Sequence, residues 1–470
     1  MHKKTYLSTG IIIASLGLSG AAFAETLDEA LVSAYTTNTT LQSQRARVRS
    51  NDELVPQALS NWRPTVKLSG DIGRAKLSNN AAGSPGDPVN QATTPRDVAL
   101  TVSEPLYRGG RTVAQTKQAE ATVQSERALL AATEQTVLLN AVTAYVNVVQ
   151  GVAVVELNKN QEQVLQRQLD ATNDRFRVGE VTRTDVAQAE SRLSGAHADR
   201  IQSEGDLVAA QANYLALVGH APANIAAPPT SIGLPPSVED AKALALEQNP
   251  NIQAAQYVYD AAAYGIDLVA GELLPQVSLN GTASHTVDNY HLNVDGGATN
   301  SYSRVYQASV NVTVPIYQQG QEYSRLRQQK HVAGQRRIEL DSTRRDTIQS
   351  VTQAWEALQT ARARTTSYAD QIKAAEVALE GVRRESQVGS RTVLDVLNQE
   401  QELLAARVNL VRAQHDEAVG VYQLKSAVGQ LTAQALALPV EIYDPVKHYD
   451  DVRNQWIGSA ITPVYGDEVK

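Results

Sequence analysis

The sequence predicts a mainly α protein with a membrane β-sheet, built from two copies of a unit that joins a long helical hairpin to two strands. Three observations lead to this fold class. The second half of the 470-residue chain repeats the first, each half contains a long stretch without proline, and each half has two segments in which apolar and polar residues alternate. Because proline breaks helices, its absence favours long ones, whereas strict alternation is typical of strands with one apolar face.

The duplication is visible as a gap-free alignment of residues 26–73 with residues 237–284. With one residue of shift, the match continues from Pro105 and Pro315 to Gly219 and Gly429. A register held this long predicts that the two halves share one fold. We therefore predict a signal peptide (1–24), a first repeat (25–219), a Pro- and Ala-rich linker (220–236), a second repeat (237–429) and a C-terminal segment (430–470).

Each proline-free stretch has one candidate break, at Val178-Gly179 in the first half and at Val388-Gly389 in the second. Thr and Asp residues follow both glycines, as expected where one helix ends and another is capped at its start. Each stretch is therefore predicted to be a helical hairpin. The first arm of the first hairpin, residues 110–178, would be about 100 Å long at 1.5 Å per residue. The second arms carry apolar residues at seven-residue spacing, a pattern that by itself also fits an ordinary coiled coil.

Four segments are predicted to be strands of about ten residues, which is long enough to cross an outer membrane when tilted. Apolar and polar residues alternate over residues 66–72, 98–103, 277–283 and 306–314. The connecting segments are rich in Gly, Asn, Ser and Asp and are predicted to be exposed loops; they are residues 79–95 and 285–302.

Four strands cannot close a membrane barrel, since the smallest barrels have eight strands. An open sheet edge is not tolerated in lipid, so a membrane location implies oligomerisation, and three chains would supply twelve strands. The periodicity alone also fits a soluble four-stranded sheet that packs on one face.

The N-terminus has the features of a secretory signal peptide. Lys3 and Lys4 supply positive charge, Ile11 to Leu18 form the apolar centre, and Ala22-Phe23-Ala24 is a cleavage site. This apolar run is short for a membrane anchor, and the sequence shows no other run of the ~20 apolar residues that a spanning helix needs.

The composition argues against several function classes. The chain has no cysteine, which excludes thiolate metal sites and fits an oxidising compartment. A formal charge of −8 without a basic block argues against a nucleic-acid partner. The eight histidines are scattered without ligand spacing, so neither a metal nor a cofactor is expected. No nucleophile motif or phosphate loop indicates an enzyme.

The order of elements and the two hairpin turns together resemble the outer-membrane efflux protein family, that of TolC and its relatives, over essentially the whole mature chain. The turns that carry the resemblance are residues 178–186 and 388–397, and Pro105 and Pro315 resemble the family's strand-to-helix corners. The resemblance implies a trimer whose twelve-stranded β-barrel continues into a twelve-helix α-barrel in the periplasm of a Gram-negative bacterium.

In function, the resemblance implies a passive exit duct in the outer membrane, for small molecules (drug efflux) and/or proteins (type I secretion). Its expected partners are outer-membrane lipid, a periplasmic adaptor (membrane fusion) protein and an inner-membrane transporter of the RND, MFS or ABC class. The helix tips would dock the adaptor, and the tip residues concerned are Val178, Gly179, Glu180, Val388, Gly389 and Ser390.

The resemblance also implies a periplasmic gate. Asp395 is expected to form an acidic ring with its symmetry mates, and Arg391 to link neighbouring tips through Asp185 and the adjacent Thr184. Asn398 stands where several family members have a second acidic residue, so a single ring is expected. From spacing alone, Arg391 and Asp395 would be an exposed pair on one helix surface, worth well under ~1 kcal/mol.

Two alternatives belong to other classes. One is an enzyme, for which the sequence offers no motif. The other is a periplasmic coiled-coil adaptor or structural protein, although an adaptor would have a lipoyl-like β-module around a single hairpin, whereas this chain has two hairpins and paired strands.

Overall fold

Long helices account for most of the chain. A computed structural model describes residues 25–79, 89–229, 233–292 and 298–461, and the predicted signal peptide, residues 1–24, lies outside them. Within the described residues the helices are α1 (Leu27–Thr37), α2 (Thr39–Asp52), α3 (Leu54–Leu59), α4 (Arg111–Arg177), α5 (Arg183–Val218), α6 (Val238–Gln248), α7 (Pro250–Ala270), α8 (Gln321–Gln387), α9 (Val393–Val428) and α10 (Lys447–Val452).

The two long hairpins have matching lengths. Helices α4 and α8 each contain 67 residues, and α5 and α9 each contain 36. The second arms are followed by Gly219 and Gly429, whose φ angles of 98° and 99° lie in the left-handed region that favours glycine. Both halves therefore have the same order of long elements, while the segment boundaries given above stay a prediction.

The sheet is antiparallel and its strands are β1 (Thr65–Ile72), β2 (Ala75–Asn79), β3 (Val89–Arg108), β4 (Gln276–Leu292) and β5 (Ala298–Thr313). Their order is β1-β3-β4-β5, and β2 pairs with β3 beyond the end of β1. The chain therefore contributes four antiparallel passes to the sheet, the first of which is made by β1 and β2 together. These two strands are separated at Gly73, whose N–H donates to the Pro95 carbonyl oxygen at 3.0 Å.

The predicted loops were too long. Much of 79–95 and 285–302 is strand, because β3 begins at Val89, β4 continues to Leu292 and β5 begins at Ala298. Polar composition misled here, since backbone pairing and cross-strand bonds such as Thr286 Oγ1 to Asp97 Oδ1 (2.6 Å) hold polar residues in the ladder. The remaining residues of these connections, 80–88 and 293–297, lie outside the described residues.

Pro105 is not the strand-to-helix corner that the sequence analysis predicted. It lies inside β3, where the pairing with β4 is irregular between Pro105 and Tyr107, because proline has no N–H for the ladder. The corner is made by Gly109 and Gly110, whose φ angles are 64° and 75°. Pro315 lies between the end of β5 and the start of α8, as the prediction requires.

The described residues form two compact units. The first contains residues 25–36, 140–229 and 360–419. The second contains residues 37–79, 89–139, 233–292, 298–359 and 420–461. In the first unit Tyr145 and Tyr214 are fully buried. In the second unit the core includes Val55, Ala58 and Val123, and the sheet belongs to this unit.

Several apolar side chains on the described part of the sheet are exposed within one chain. Val66, Leu68 and Ile72 on β1 are 64%, 71% and 69% exposed, and Val310 on β5 is 61% exposed. A soluble sheet packed on one face would bury these residues, so the exposure argues against that alternative.

One stretch of α4 is apolar and long enough to be a membrane span by composition, contrary to the prediction that no such run follows the signal peptide. However, 44% of that stretch is buried inside the protein. A buried core helix passes the same compositional test, so the stretch does not indicate a spanning helix.

Candidate functional site

The turn between α4 and α5 is fixed by its backbone. Gly179 has a φ of 83°, which a residue with a side chain adopts only with strain. Its N–H donates to the Phe176 carbonyl oxygen at 3.0 Å, and the Glu180 N–H donates to the Arg175 carbonyl oxygen at 2.9 Å. Val178, at the tip, is 72% exposed.

Helix α5 begins with a reciprocal cap. The Asp185 N–H donates to Thr182 Oγ1 at 3.3 Å, and Asp185 Oδ2 accepts from the backbone N–H and the hydroxyl of Thr182, both at 2.8 Å. This capping box satisfies donors that a helix start would otherwise leave unpaired. Thr184 is exposed in the first turn of the same helix.

The turn between α8 and α9 repeats this design. Gly389 has a φ of 81°, and the Ser390 N–H donates to the Glu385 carbonyl oxygen at 2.9 Å. The hydroxyl of Ser390 donates to the same oxygen at 3.0 Å, which tightens the turn. Val388 is 80% exposed. The exposed valine therefore stands directly before the turn glycine in both hairpins.

Asp395 has the same capping role in α9 as Asp185 has in α5. Its Oδ2 accepts from the Thr392 N–H at 2.9 Å and from the Thr392 hydroxyl at 2.8 Å. These bonds, first the one from the backbone, lower the pKa of Asp395, and the charge of Arg391 adds to them. The carboxylate at this turn is therefore ionised at neutral pH.

Arg391 does not pair with Asp395 across a helix surface as its spacing predicted. Helix α9 begins at Val393, so Arg391 lies in the turn before it, and its Nε donates to Glu385 Oε2 at 3.0 Å. This bond raises the pKa of Arg391. Among the described residues of one chain, no ion pair joins Arg391 to Asp185.

The two hairpins pack against each other near their turns. Val393 and Leu397 from the start of α9 form one buried cluster with Leu165 of α4 and with Ala189 and Ala196 of α5. This cluster fixes the position of Asp395 relative to the first hairpin, because Asp395 lies between the two buried residues of α9.

A second link between the hairpins was not predicted. Arg192 of α5 donates from Nη2 to Asn398 Oδ1 at 3.0 Å, and its Nη1 donates to Gln401 Oε1. Asn398, expected only as the replacement of a second acid, is therefore an acceptor in a bond between α5 and α9. Nothing in the local sequence marks Arg192, because its partners lie more than two hundred positions away in the chain.

Of the predicted site residues, the structure brings those of the two turns into one unit, whereas Pro105 and Pro315 belong to the other unit. In the part of the chain that the structure describes, no group of three or more His, Asp or Glu side chains is arranged to hold a metal ion.

Comparison with known proteins points to one family. The sequence profile of the outer membrane efflux proteins matches residues 30–220 and 243–430. The outer membrane efflux protein BepC of Brucella suis biovar 1 (strain 1330) is 36% identical over 456 residues, which cover 97% of this chain and 96% of BepC. The outer membrane protein TolC of Vibrio cholerae serotype O1 is 27% identical, over 90% of this chain and 95% of TolC.

The fold is shared with solved structures. The outer-membrane channel OprN superposes with a TM-score of 0.74 at 20% sequence identity, over 86% of this chain and 89% of OprN. The Campylobacter jejuni outer membrane channel CmeC also gives a TM-score of 0.74, at 16% identity, over 92% of this chain and 89% of CmeC. The predicted fold class, that of the TolC-like trimeric channels, is thereby confirmed.

Proposed function

This chain belongs to the outer membrane efflux protein family, and from that premise we propose that its two helical turns form the closable periplasmic end of a trimeric duct. The chain is an outer-membrane protein of a Gram-negative bacterium and serves as an exit duct. The solved structures OprN and CmeC, which share this fold, are outer-membrane channels, and we propose that this chain likewise moves substrates passively and catalyses no reaction.

We propose that trimerisation pairs the free edges of the sheet and so closes it into a barrel. Within the described part of one chain, β1 and β5 are the outer strands, so each has one edge without a partner. Backbone donors and acceptors at such an edge cannot remain unpaired in lipid. If β5 of each chain pairs with β1 of the next, three chains close a barrel of twelve crossings, and the exposed apolar residues face the bilayer.

The observation that carries the gate proposal is the shared construction of the two turns in one unit. Each turn has a left-handed glycine and an Asp held by a Thr cap, at positions 179 and 185 and at positions 389 and 395. In a trimer the three Asp395 carboxylates would surround the axis as one acidic ring, which attracts cations into a narrow opening.

A link between neighbouring tips would engage Arg391. In one chain its Nε donates to Glu385 Oε2 at 3.0 Å, and both side chains of this pair are half exposed. We propose that a bond to Asp185 or Thr184 of a neighbour competes with this weak pair and so distinguishes two states of the tip.

The exposed tips are the proposed docking site for a periplasmic adaptor. Val178 and Val388 present apolar surface in water, and a partner that covers them gains hydrophobic free energy. Gly179, Glu180, Gly389 and Ser390 complete the surface. The energy for export would come from an inner-membrane transporter of the RND, MFS or ABC class, joined through the adaptor.

We propose small molecules as the exported class, because the family profile and BepC are both described as efflux proteins. Export of proteins by type I secretion is the other outcome. The two are distinguished by deleting the chain's gene and measuring both drug susceptibility and the secreted proteins.

The gate is tested with two matched variants in planar bilayers. Asp395→Ala and Thr392→Ala each break the same capping box, so both weaken the start of α9, but Thr392→Ala keeps the carboxylate. Only Asp395→Ala should remove the proposed ring, and we expect it to raise severalfold the concentration of a multivalent cation that blocks conductance. Equal effects of the two variants would mean that Asp395 acts only as a cap, and an unchanged block would remove it from the ring.

A further inference from the structure

The C-terminal segment is fastened along the second unit by cation–π contacts. Tyr443 lies under Arg45 of α2, with the guanidinium carbon 5.1 Å from the ring centroid, and Tyr449 of α10 contacts Arg127 of α4 at 5.0 Å. His448 Nδ1 lies 3.0 Å from Asp52 Oδ2. Such contacts are individually modest, but together they fix the path of the segment.

The C-terminal segment, held along the second unit in this way, places Trp456 at one end of the sheet. Arg63 Nη1 donates to the Gln455 carbonyl oxygen at 2.7 Å, and the Arg63 guanidinium carbon lies 4.7 Å from the Trp456 ring centroid. Because β1 begins at Thr65, Trp456 stands beside the start of the first strand.

Beyond this contact the segment is apolar but uncovered. Trp456 is 67% exposed, Ile457 is 91% exposed and Ile461 is 59% exposed. Three large apolar side chains lie exposed within six residues of a segment whose path is fixed. Such a surface is typical of a site that contacts a partner.

Other exposed aromatic and apolar side chains occur at the same end of the sheet. The pairing of Gln276 with both Arg108 and Thr313 shows that β3 and β5 end where β4 begins. The residues at or next to these strand ends are Trp62 (44% exposed), Tyr107 (43%), Leu274 (45%) and Tyr317 (76%).

From this arrangement we propose that residues 455–461 are a membrane anchor, in which Trp456 and Ile457 enter the periplasmic leaflet of the outer membrane. The partner is phospholipid. Trp is favoured at membrane interfaces because its ring is apolar and its N–H finds a polar partner. Arg63, stacked on the ring, would stand at the level of the phosphate groups.

Phospholipid is the partner we infer because residues 455–461 lie next to the start of strand β1. The sheet that begins two residues after Arg63 has exposed apolar residues on β1, and in a transmembrane barrel the outward apolar face meets lipid. Lipid that covers Val66 and Leu68 therefore reaches the neighbourhood of Trp456. The inference rests on the outer-membrane location and does not depend on the proposed gate.

Tryptophan fluorescence tests the anchor directly, because the chain has only three tryptophans, Trp62, Trp355 and Trp456. We would reconstitute Trp62→Phe/Trp355→Phe, which keeps only Trp456, into vesicles of phosphatidylcholine brominated either near the headgroup end or near the middle of its acyl chains, the first to reach Trp456 and the second to reach residues in mid-strand. We expect a large loss of emission relative to unbrominated vesicles. Trp62→Phe/Trp456→Phe keeps only Trp355 of α8 and should lose none.

A third variant separates the anchor from the barrel. Tyr306→Trp in a background without other tryptophans reports on β5, where Tyr306 is 81% exposed. If this reporter is quenched and Trp456 is not, the barrel stands and the anchor is wrong. Quenching of Trp456 by aqueous acrylamide alone would place it in water, and protection from both quenchers would place it against a neighbouring chain. Either result overturns the anchor.

Discussion

The Glu25 carboxylate accepts several hydrogen bonds within the first unit. It accepts from the Tyr214 hydroxyl, from His220 Nε2 at 2.8 Å and from the Ala223 N–H at 3.1 Å. Burial alone would raise the pKa of Glu25, but these bonds together lower it. Burial chiefly raises the pKa of the neighbouring Tyr145 to about 12, and the Glu25 charge adds to this.

We expect Glu25→Gln to lower the stability of the folded chain by about 2 kcal/mol near neutral pH, because the bonds to an ionised acceptor are lost. A lowered pKa contributes stability above the unfolded value of 4.5, and this contribution is lost as the pH falls through the folded value. The gap between variant and wild type should therefore narrow on acidification. Thermal denaturation of the variant and the wild type at neutral pH and at a pH below 4.5 measures this difference in stability. Glu247→Gln, at an exposed position, is the control. Equal stability of Glu25→Gln and the wild type at neutral pH would show that these bonds do not stabilise the fold.

Gly389 and Gly381 give a matched pair of substitutions at the end of α8 and within it. Gly389 has a positive φ, so Gly389→Ala should strain the turn by about 1 kcal/mol. Gly381 lies inside the helix with open space around its Cα, so Gly381→Ala should stabilise the helix by roughly 0.5–1 kcal/mol. Hydrogen exchange of the turn amides should accelerate only in Gly389→Ala. The same exchange rates in both variants would show that the turn is not held by this glycine.

At the scale of elements, the second arms α5 and α9 are joined by Arg192. If opening separates the two hairpins, Arg192→Ala should favour the open state by about 1 kcal/mol, a roughly fivefold change in the ratio of open to closed channels. Arg200→Ala is the control, because Arg200 bonds to Glu162 and Glu204 within the first hairpin. Channel recordings of the two variants measure the difference. An unchanged open probability in Arg192→Ala would exclude this link from gating.

Elements that depend on local chemistry were predictable from the sequence. The ends of α4 and α8 follow from Gly179 and Gly389, and the starts of α5 and α9 from the Thr and Asp residues that follow. The same motif, Thr392-x-x-Asp395, already contained the capping box. A cap at position 392 places Arg391 outside the helix. The prediction that Arg391 and Asp395 share a helix surface was therefore inconsistent with this capping box.

Features that depend on distant parts of the chain were not predictable. The bond between Arg192 and Asn398 joins two repeats, and no local pattern at either position indicates it. The lengths of β3, β4 and β5 were underestimated because the alternation of apolar and polar residues fades towards the loops, whereas backbone pairing continues. The composition of the C-terminal segment also did not predict its position. Its tyrosines contact arginines of α2 and α4, which lie far away in the sequence.

At the scale of the whole molecule, a single chain is incomplete. Among its described residues the sheet has two open edges and exposed apolar side chains, and the proposed acidic ring needs three copies of Asp395. Both deficits are removed by the same assembly, which is why the trimer is the central claim. The proposed adaptor and transporter would therefore act on this assembly and not on the separate chain.

The most direct test of that claim is single-channel conductance of the purified protein in planar bilayers, with its oligomer mass determined in the same detergent. We expect the mass of three chains and small, cation-selective openings. A monomer without membrane activity would contradict both the trimeric barrel and the gate.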